Sequence, residues 1–270
     1  MKSSADCPGA TPLLSCRGLD VCAGSRCLVR GLDLDVAAGQ RWALVGPNGA
    51  GKSSLLLVLA GARRPDAGTL ALAGRPIAQW TVGELAGLRA VLADRWIDPF
   101  ATRVLDTVAA ARYRLQAVGA RGVPADRAAL DMARACLAQV DCAALADRDV
   151  RQLSRGERQR VALAAALAQD TALVLLDEPI SHQDPRHQVQ VLKVLRERPL
   201  GTFIAALHDI NAAARSATHA LLLAGDGRWT AGESAAVLTC SRLAPLFDTP
   251  IREVDVGSHR VFVSDIGASP

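Results

Sequence analysis

The segment Gly46-Pro47-Asn48-Gly49-Ala50-Gly51-Lys52-Ser53 constrains this chain more than any other. It follows the apolar run Arg41-Trp42-Ala43-Leu44-Val45 and opens a leucine-rich stretch that reads as a helix from Lys52 to Gly61. Strand, glycine-rich turn and helix, in that order, are the setting in which G-x-x-x-x-G-K-[ST] binds phosphate. Glycines let the backbone curl so that several N–H groups converge, and the helix N-terminus adds partial positive charge there. Lys52 is expected to reach the β- and γ-phosphates, and the Ser53 hydroxyl to ligate Mg²⁺. The bland alternative is a glycine-rich turn with an incidental lysine. Against it, only Lys2, Lys52 and Lys193 are lysines among 31 basic residues. Lysine stands here where a slim point charge is wanted.

The rest of the 270 residues is ordinary globular material, half hydrophobic and 21% charged. That excludes disorder over most of the length and suffices for a large core. Apolar runs such as Leu55–Ala60 and Val161–Ala168 stop well short of a bilayer's thickness. Met1 to Pro12 shows no export signal. The net charge of +4 is mild, aromatics are 3% of the chain, and no basic stripe is interleaved with aromatics. A nucleic-acid partner is therefore not expected. Cys7, Cys16, Cys22, Cys27, Cys136, Cys142 and Cys240 contain no C-x-x-C pair. They read as thiols of a reducing compartment, with a zinc site as the lesser alternative.

Periodicity supplies a coarse map. Residues 13 to 45 read as short strands, Pro65–Gly68 as a turn and Thr69–Ala73 as a strand. Val104, Leu105 and Val108 make one helical stripe, and Leu130, Ala133 and Leu137 another, with a break at Gly119–Pro124. Leu173–Leu176 and Phe203–Leu207 read as buried strands, and Ala220–Leu223 as a further one. Asp184-Pro185 suggests an N-cap with proline at the first helical position, followed by Val189, Leu192 and Leu195 on one face. Gly232 to Pro270 reads as a small helix with edge strands. Strands alternating with helices predict an α/β fold with a mainly parallel sheet and a helical insertion near 100–150.

The Leu173–Leu176 run ends in Asp177-Glu178-Pro179. Ligands of such sheets bind at the C-terminal ends of the strands. Asp177 is placed to serve Mg²⁺, and Glu178 to polarise an attacking water as a general base. Twenty-four positions before Asp177 begins Leu153-Ser154-Arg155-Gly156-Glu157-Arg158-Gln159-Arg160. Ser154 and Glu157 form an S-x-x-E capping box, with Val161, Ala164 and Ala168 on the apolar face behind it. A well-capped helix accounts for the serine and the glutamate. It does not account for Gly156, which leaves room for an anion at the N–H groups.

This octapeptide resembles the L-S-G-G-E-Q-Q-R signature of the ABC-type ATPases, with Arg155 in place of a glycine. The resemblance covers about residues 12 to 250. It implies a P-loop NTPase core (about 12–93 and 156–235), an antiparallel β subdomain, a helical subdomain (about 95–155) and a short C-terminal extension (236–270). It further implies ATP and Mg²⁺ as cofactors. Gly46, Pro47, Asn48, Gly49, Ala50, Gly51, Lys52, Ser53 and Ser54 would hold the nucleotide, joined by Ser154, Gly156, Glu157 and Asp184. Ser53, Asp94 and Asp177 would serve the metal, and Glu178 and His208 the hydrolysis. Ser181-His182-Gln183-Asp184 is similar to the family's D-loop, and His208 to its switch histidine.

Two departures stand out. No aromatic lies near Ala23, where the family stacks adenine, so the base is expected on aliphatic or arginine surface near Arg26. Leu88–Asp94 resembles the segment that ends in the Q-loop glutamine, yet it ends in Asp94. A carboxylate can ligate Mg²⁺ but cannot donate a hydrogen bond, so nucleotide binding should depend more on Mg²⁺. The family resemblance implies a two-fold dimer that sandwiches two ATP molecules, two transmembrane permease subunits, and indirectly a periplasmic substrate-binding protein. It places the chain peripherally on the cytoplasmic face of the cell membrane, with the coupling helix received around Asp94–Phe100. Arg89–Leu92, Leu207–Asn211, Ala236–Thr239 and His259–Ser264 are similar to importers of bulky metal chelates, with cobalamin or an iron–siderophore first and haem next. A soluble ABC ATPase of iron–sulfur cluster assembly is the alternative, and a degraded regulatory ATPase a third reading.

Overall fold

A computed structural model describes residues 11–93, 100–113, 127–197, 201–257 and 259–264. Along the chain run β1 (Leu14–Ala23), β2 (Arg26–Val36), β3 (Arg41–Val45), α1 (Lys52–Leu59), β4 (Ala67–Leu72), β5 (Arg75–Pro76), α2 (Val82–Leu88) and β6 (Arg89–Leu92). Then come α3 (Val104–Tyr113), α4 (Arg127–Gln139), α5 (Arg155–Ala168), β7 (Leu173–Asp177), α6 (Pro185–Glu197) and β8 (Thr202–Ala206). The chain ends with α7 (Ile210–Ser216), β9 (His219–Leu223), β10 (Trp229–Glu233), α8 (Ser234–Val237), α9 (Cys240–Phe247), β11 (Ile251–Val256) and β12 (His259–Ser264). Packing divides it into two compact units, residues up to Gln79 with Thr202 onward, and Trp80–Gly201.

In the first unit, β3 lies between β8 and β9 and pairs with both in parallel. β10 adds to β9 antiparallel. Strands flanked on both sides are buried on both faces and read as continuous apolar runs rather than alternating ones. Trp42 to Val45 and Phe203 to Ala206 are accordingly all buried. Trp42 stacks on His219 with ring centroids 4.8 Å apart, and burial holds that imidazole's pKa below its ordinary value. A separate antiparallel sheet runs β2-β1-β4-β5. The tail forms the hairpin β11–β12 and is tied to α7 by one amide. Asn211 Nδ2 donates to Phe262 O at 3.0 Å, and Phe262 N donates to Asn211 Oδ1 at 2.7 Å. A side chain thus completes the backbone pairing of an edge strand.

In the second unit, β6 and β7 pair in parallel from Arg89↔Leu173 to Leu92↔Leu176. Helices α3, α4 and α5 pack on one another. Val104, Leu105 and Val108 are buried, as are Ala133 and Leu137, while Leu130 is only half-buried. The expected stripe of α6 needs correction. Leu192 and Leu195 are buried, but Val189 is 59% exposed and Val191 takes its place. The expected break at Gly119–Pro124 lies outside the described residues. Helix α2 was not foreseen, although Thr81-Val82-Gly83-Glu84 is a capping box and both of its reciprocal hydrogen bonds form. No helix among the described residues is long and apolar enough to cross a membrane.

Candidate nucleotide site

The first unit builds the phosphate loop between β3 and α1. Gly51 sits at φ 99°, a backbone conformation that side chains disfavour, and a Cβ there would lie 2.8 Å from Leu28 Cβ. Gly46 is equally constrained, since its Cβ would stand 2.3 Å from Leu223 O of β9. The loop therefore packs against two strands as bare backbone. Ala50 N donates to Pro47 O at 3.2 Å and Leu55 N to Gly51 O at 2.8 Å. Lys52 is buried, 6% exposed, and arches over the loop. Its Nζ donates to Gly46 O at 2.7 Å and Pro47 O at 3.0 Å. No side chain caps α1, and its first turn carries no acid. Asn48, Gly49 and Ser53 are exposed, Ser54 half-buried and Ala50 buried. Backbone N–H groups without a side-chain cap, a positive helix end and an ammonium converge, which is a cradle for phosphate.

Two further features border this loop. Arg26 Nε donates to Gly225 O at 2.9 Å, and a Cβ on Gly225 would lie 2.9 Å from Ala50 Cα. The guanidinium thus stands beside the loop, where the sequence pointed to arginine surface for the base. Trp42, the first aromatic of the chain, is buried against His219. His208 is exposed just past β8, after Leu207, whose N–H donates to Leu44 O at 3.0 Å. Asp209 behind it caps α7, accepting from Asn211 N at 2.7 Å and Ala212 N at 3.2 Å.

The second unit carries the acidic strand end and the signature helix. Asp177 ends β7 and is 9% exposed. Glu178 follows at φ 50° and is half-buried. Three contacts hold this turn in place. Ser181 Oγ donates to Glu178 Oε2 at 2.8 Å, Gln159 Nε2 to Glu178 O at 3.1 Å, and Gln183 Nε2 to Pro179 O at 2.9 Å. Gln159 was quoted in the signature but given no task. Its position on the first turns of a helix leading into β7 was the available signal.

The capping box of α5 is present. Ser154 N donates to Glu157 Oε2 at 2.8 Å, and Glu157 N to Ser154 Oγ at 3.3 Å. The hydrogen bonds from Ser154 hold the Glu157 carboxyl below the usual carboxylate range. Gly156 has a requirement within the chain itself, because a Cβ there would stand 2.9 Å from His182 O. Arg155 is exposed, so this departure from the signature tolerates a long side chain. Asp184 is the N-cap of α6, accepting from His187 N at 3.0 Å and meeting His187 Nδ1 at 2.8 Å. Those bonds hold its carboxyl below the ordinary value. Its carboxylate thus serves its own helix. Asp94 lies outside the described residues. Among the described residues, no group of three or more His, Cys, Asp or Glu could hold a metal, so the zinc alternative gains nothing.

Residues 29–181 match the family described as ABC transporter. The chain belongs to the ABC transporter family. It is an ATP-binding, ATP-hydrolysing member with the α/β P-loop fold, a separate antiparallel sheet and a helical part. It is 38% identical over 251 residues to the hemin import ATP-binding protein HmuV of Thermobifida fusca (strain YX), covering 92% of this chain and 86% of the relative. It is 39% identical over 249 residues to the protein of the same name from Streptomyces coelicolor (strain ATCC BAA-471 / A3(2) / M145), covering 90% and 87%. Among solved structures it is similar to a metal-chelate type ABC transporter in an inward-facing conformation. The identity there is 27% and the TM-score 0.79, over 94% of this chain and 98% of that one.

Proposed function

We propose that this chain is the ATPase of an importer for haemin or a closely similar metal chelate. Two copies would work beneath two transmembrane permease subunits, on the cytoplasmic face of the cell membrane, with a substrate-binding protein delivering cargo from outside. The observation that carries the cargo class is similarity to hemin import ATPases along nearly the whole chain, from phosphate loop to tail. This reading therefore puts haemin first, where the sequence had put cobalamin and iron–siderophores. A soluble cluster-assembly role draws no support from these relatives.

In this reading, residues 46–54 hold ATP, with backbone N–H groups of the loop and the Lys52 ammonium on its β- and γ-phosphates. Mg²⁺, when bound, supplies charge neutralisation on the phosphate oxygens, and Ser53 and Asp177 offer hard oxygen donors that suit it. Asp94 is the further carboxylate proposed for that ion. Glu178, oriented by Ser181, takes the proton of the attacking water. His208 contacts the γ-phosphate and keeps water and base in register. Ser154 and Gly156 of a second copy close over the nucleotide with the N-terminus of α5, while Glu157 and Asp184 set the two helix starts. ATP binds the closed pair better than the open one, so it shifts the population toward closure, and hydrolysis removes that bias.

The test is Glu178→Gln in the chain purified alone and with its permease. Turnover should fall about 10²- to 10⁴-fold, and size-exclusion chromatography with ATP should show the pair accumulating. In proteoliposomes, uptake of haemin should require both the permease and hydrolysable ATP. A variant that still turns over at the wild-type rate refutes the assigned base. Uptake of another chelate in preference to haemin refutes the cargo.

A further inference from the structure

The β1–β2 hairpin carries two cysteines that nucleotide chemistry does not use. Cys22 and Cys27 are direct partners across the strands, next to the Ala23↔Arg26 pair that flanks the turn. The N–H of Cys22 donates to Asp66 Oδ2 at 2.8 Å instead of to β2. That marks a non-hydrogen-bonded pair, in which opposed Cα atoms lie about 4.5 Å apart. Such a spacing is inside the range of roughly 4.4 to 6.8 Å that a disulfide spans. As direct partners in register, the two side chains lie on the same face of the hairpin. Both residues are half-buried, so a small oxidant can reach them.

Their surroundings also distinguish the two sulfurs. Arg30 lies beside Cys27, which raises the guanidinium's pKa, and the Cys27 thiol donates to Val29 O at 3.2 Å. A cation beside a cysteine aids attack by its sulfur. The hydrogen bond to Cys27 raises the Cys22 pKa to about 11, which keeps the proton on Cys22 until it is needed. Cys16, by contrast, is buried and pushed up to about 12, and burial likewise raises Cys142. Those two behave as inert core thiols.

We propose that Cys22 and Cys27 form a reversible dithiol–disulfide site with hydrogen peroxide as the oxidant. The Cys27 thiolate attacks one peroxide oxygen, the O–O bond breaks, and the departing hydroxide takes a proton to become water. Cys27 is then a sulfenic acid. The Cys22 sulfur loses its proton, attacks the Cys27 sulfur and displaces the oxygen as a second water. Two thiols and one peroxide thus give one disulfide and two waters, and a dithiol reductant reverses the change. The bond would close the strand ends that carry Arg26 beside the phosphate loop, but its formation does not rest on the transport reading.

The test treats the full chain with hydrogen peroxide, blocks remaining thiols by alkylation and digests with trypsin. Cleavage after Arg17, Arg26 and Arg30 separates the two cysteines. The expected product is Gly18–Arg26 joined to Cys27–Arg30, lighter than the sum of the free peptides by two hydrogens, and absent after dithiothreitol. Cys22→Ser should leave a Cys27 sulfenic acid that dimedone labels. Arg30→Ala should slow the linkage by roughly 3- to 10-fold. Recovery of both cysteines alkylated, or of either joined to a different cysteine, overturns the proposal. An unchanged rate in Arg30→Ala overturns Cys27 as the attacking sulfur.

Discussion

The two helix starts assigned to phosphate are built in opposite ways. α1 begins at a glycine with no side-chain cap and no acid in its first turn. α5 begins at Ser154 with a complete capping box and places Glu157 in its first turn. The first offsets neither its N-terminus with a side-chain cap nor its partial positive charge with an acid, and it adds the Lys52 ammonium. The second satisfies its own end and partly offsets its own dipole with a carboxylate. One terminus is therefore ready for anions at all times, whereas the other is stable alone and, in the function proposed above, would meet nucleotide only when a second copy brings it there. That difference suits a permanent binding loop on one side and a conditional clamp on the other.

Breaking the bare terminus should have the largest effect. Lys52→Ala is expected to lower ATP hydrolysis about 10²- to 10³-fold, measured by phosphate release at saturating ATP. Next come the close backbone approaches. Gly46→Ala pushes a methyl against Leu223 O and should destabilise the chain by about 1–3 kcal/mol, read as a lower denaturation midpoint and weaker nucleotide binding. Gly156→Ala meets His182 O at a less severe distance. It should cost less stability than Gly46→Ala while still impairing turnover, and a larger loss would reverse the ranking drawn here. Ser154→Ala should then remove about 1 kcal/mol through the lost cap, and Ser154→Asp should restore most of it in the same denaturation series.

The smallest effect is in pH. The Glu157 carboxyl lies below its ordinary value when folded. Its contribution is therefore fully present above the unfolded value, near 4.3, and is lost as pH falls through the folded one. Ser154→Ala should shallow the acid limb of the stability curve between those values. An unchanged limb would show that the Ser154 side chain does not hold the Glu157 carboxyl below its ordinary value.

Much of this was legible in local sequence, because each feature is set by neighbours a few residues apart. A strand–glycine–lysine–helix run, an S-x-x-E box and an Asp-Pro cap each declare their geometry within one or two turns. Where reading failed, the deciding partner was remote. Val189 has helical spacing but faces outward, since burial depends on what packs against α6. Helix α2 is the exception, since its capping box, Thr81 to Glu84, is local and legible.

The sequence alone therefore determined the phosphate loop, the caps and the family, whose information lies in short contiguous motifs. Only the tertiary structure decided why Gly46 and Gly156 must lack a side chain, what orients Glu178, and that Cys22 faces Cys27. The two glycine contacts join backbone segments far apart along the chain, whereas the other two depend on a turn and a strand register, and no residue pattern encodes the distances at which these groups meet.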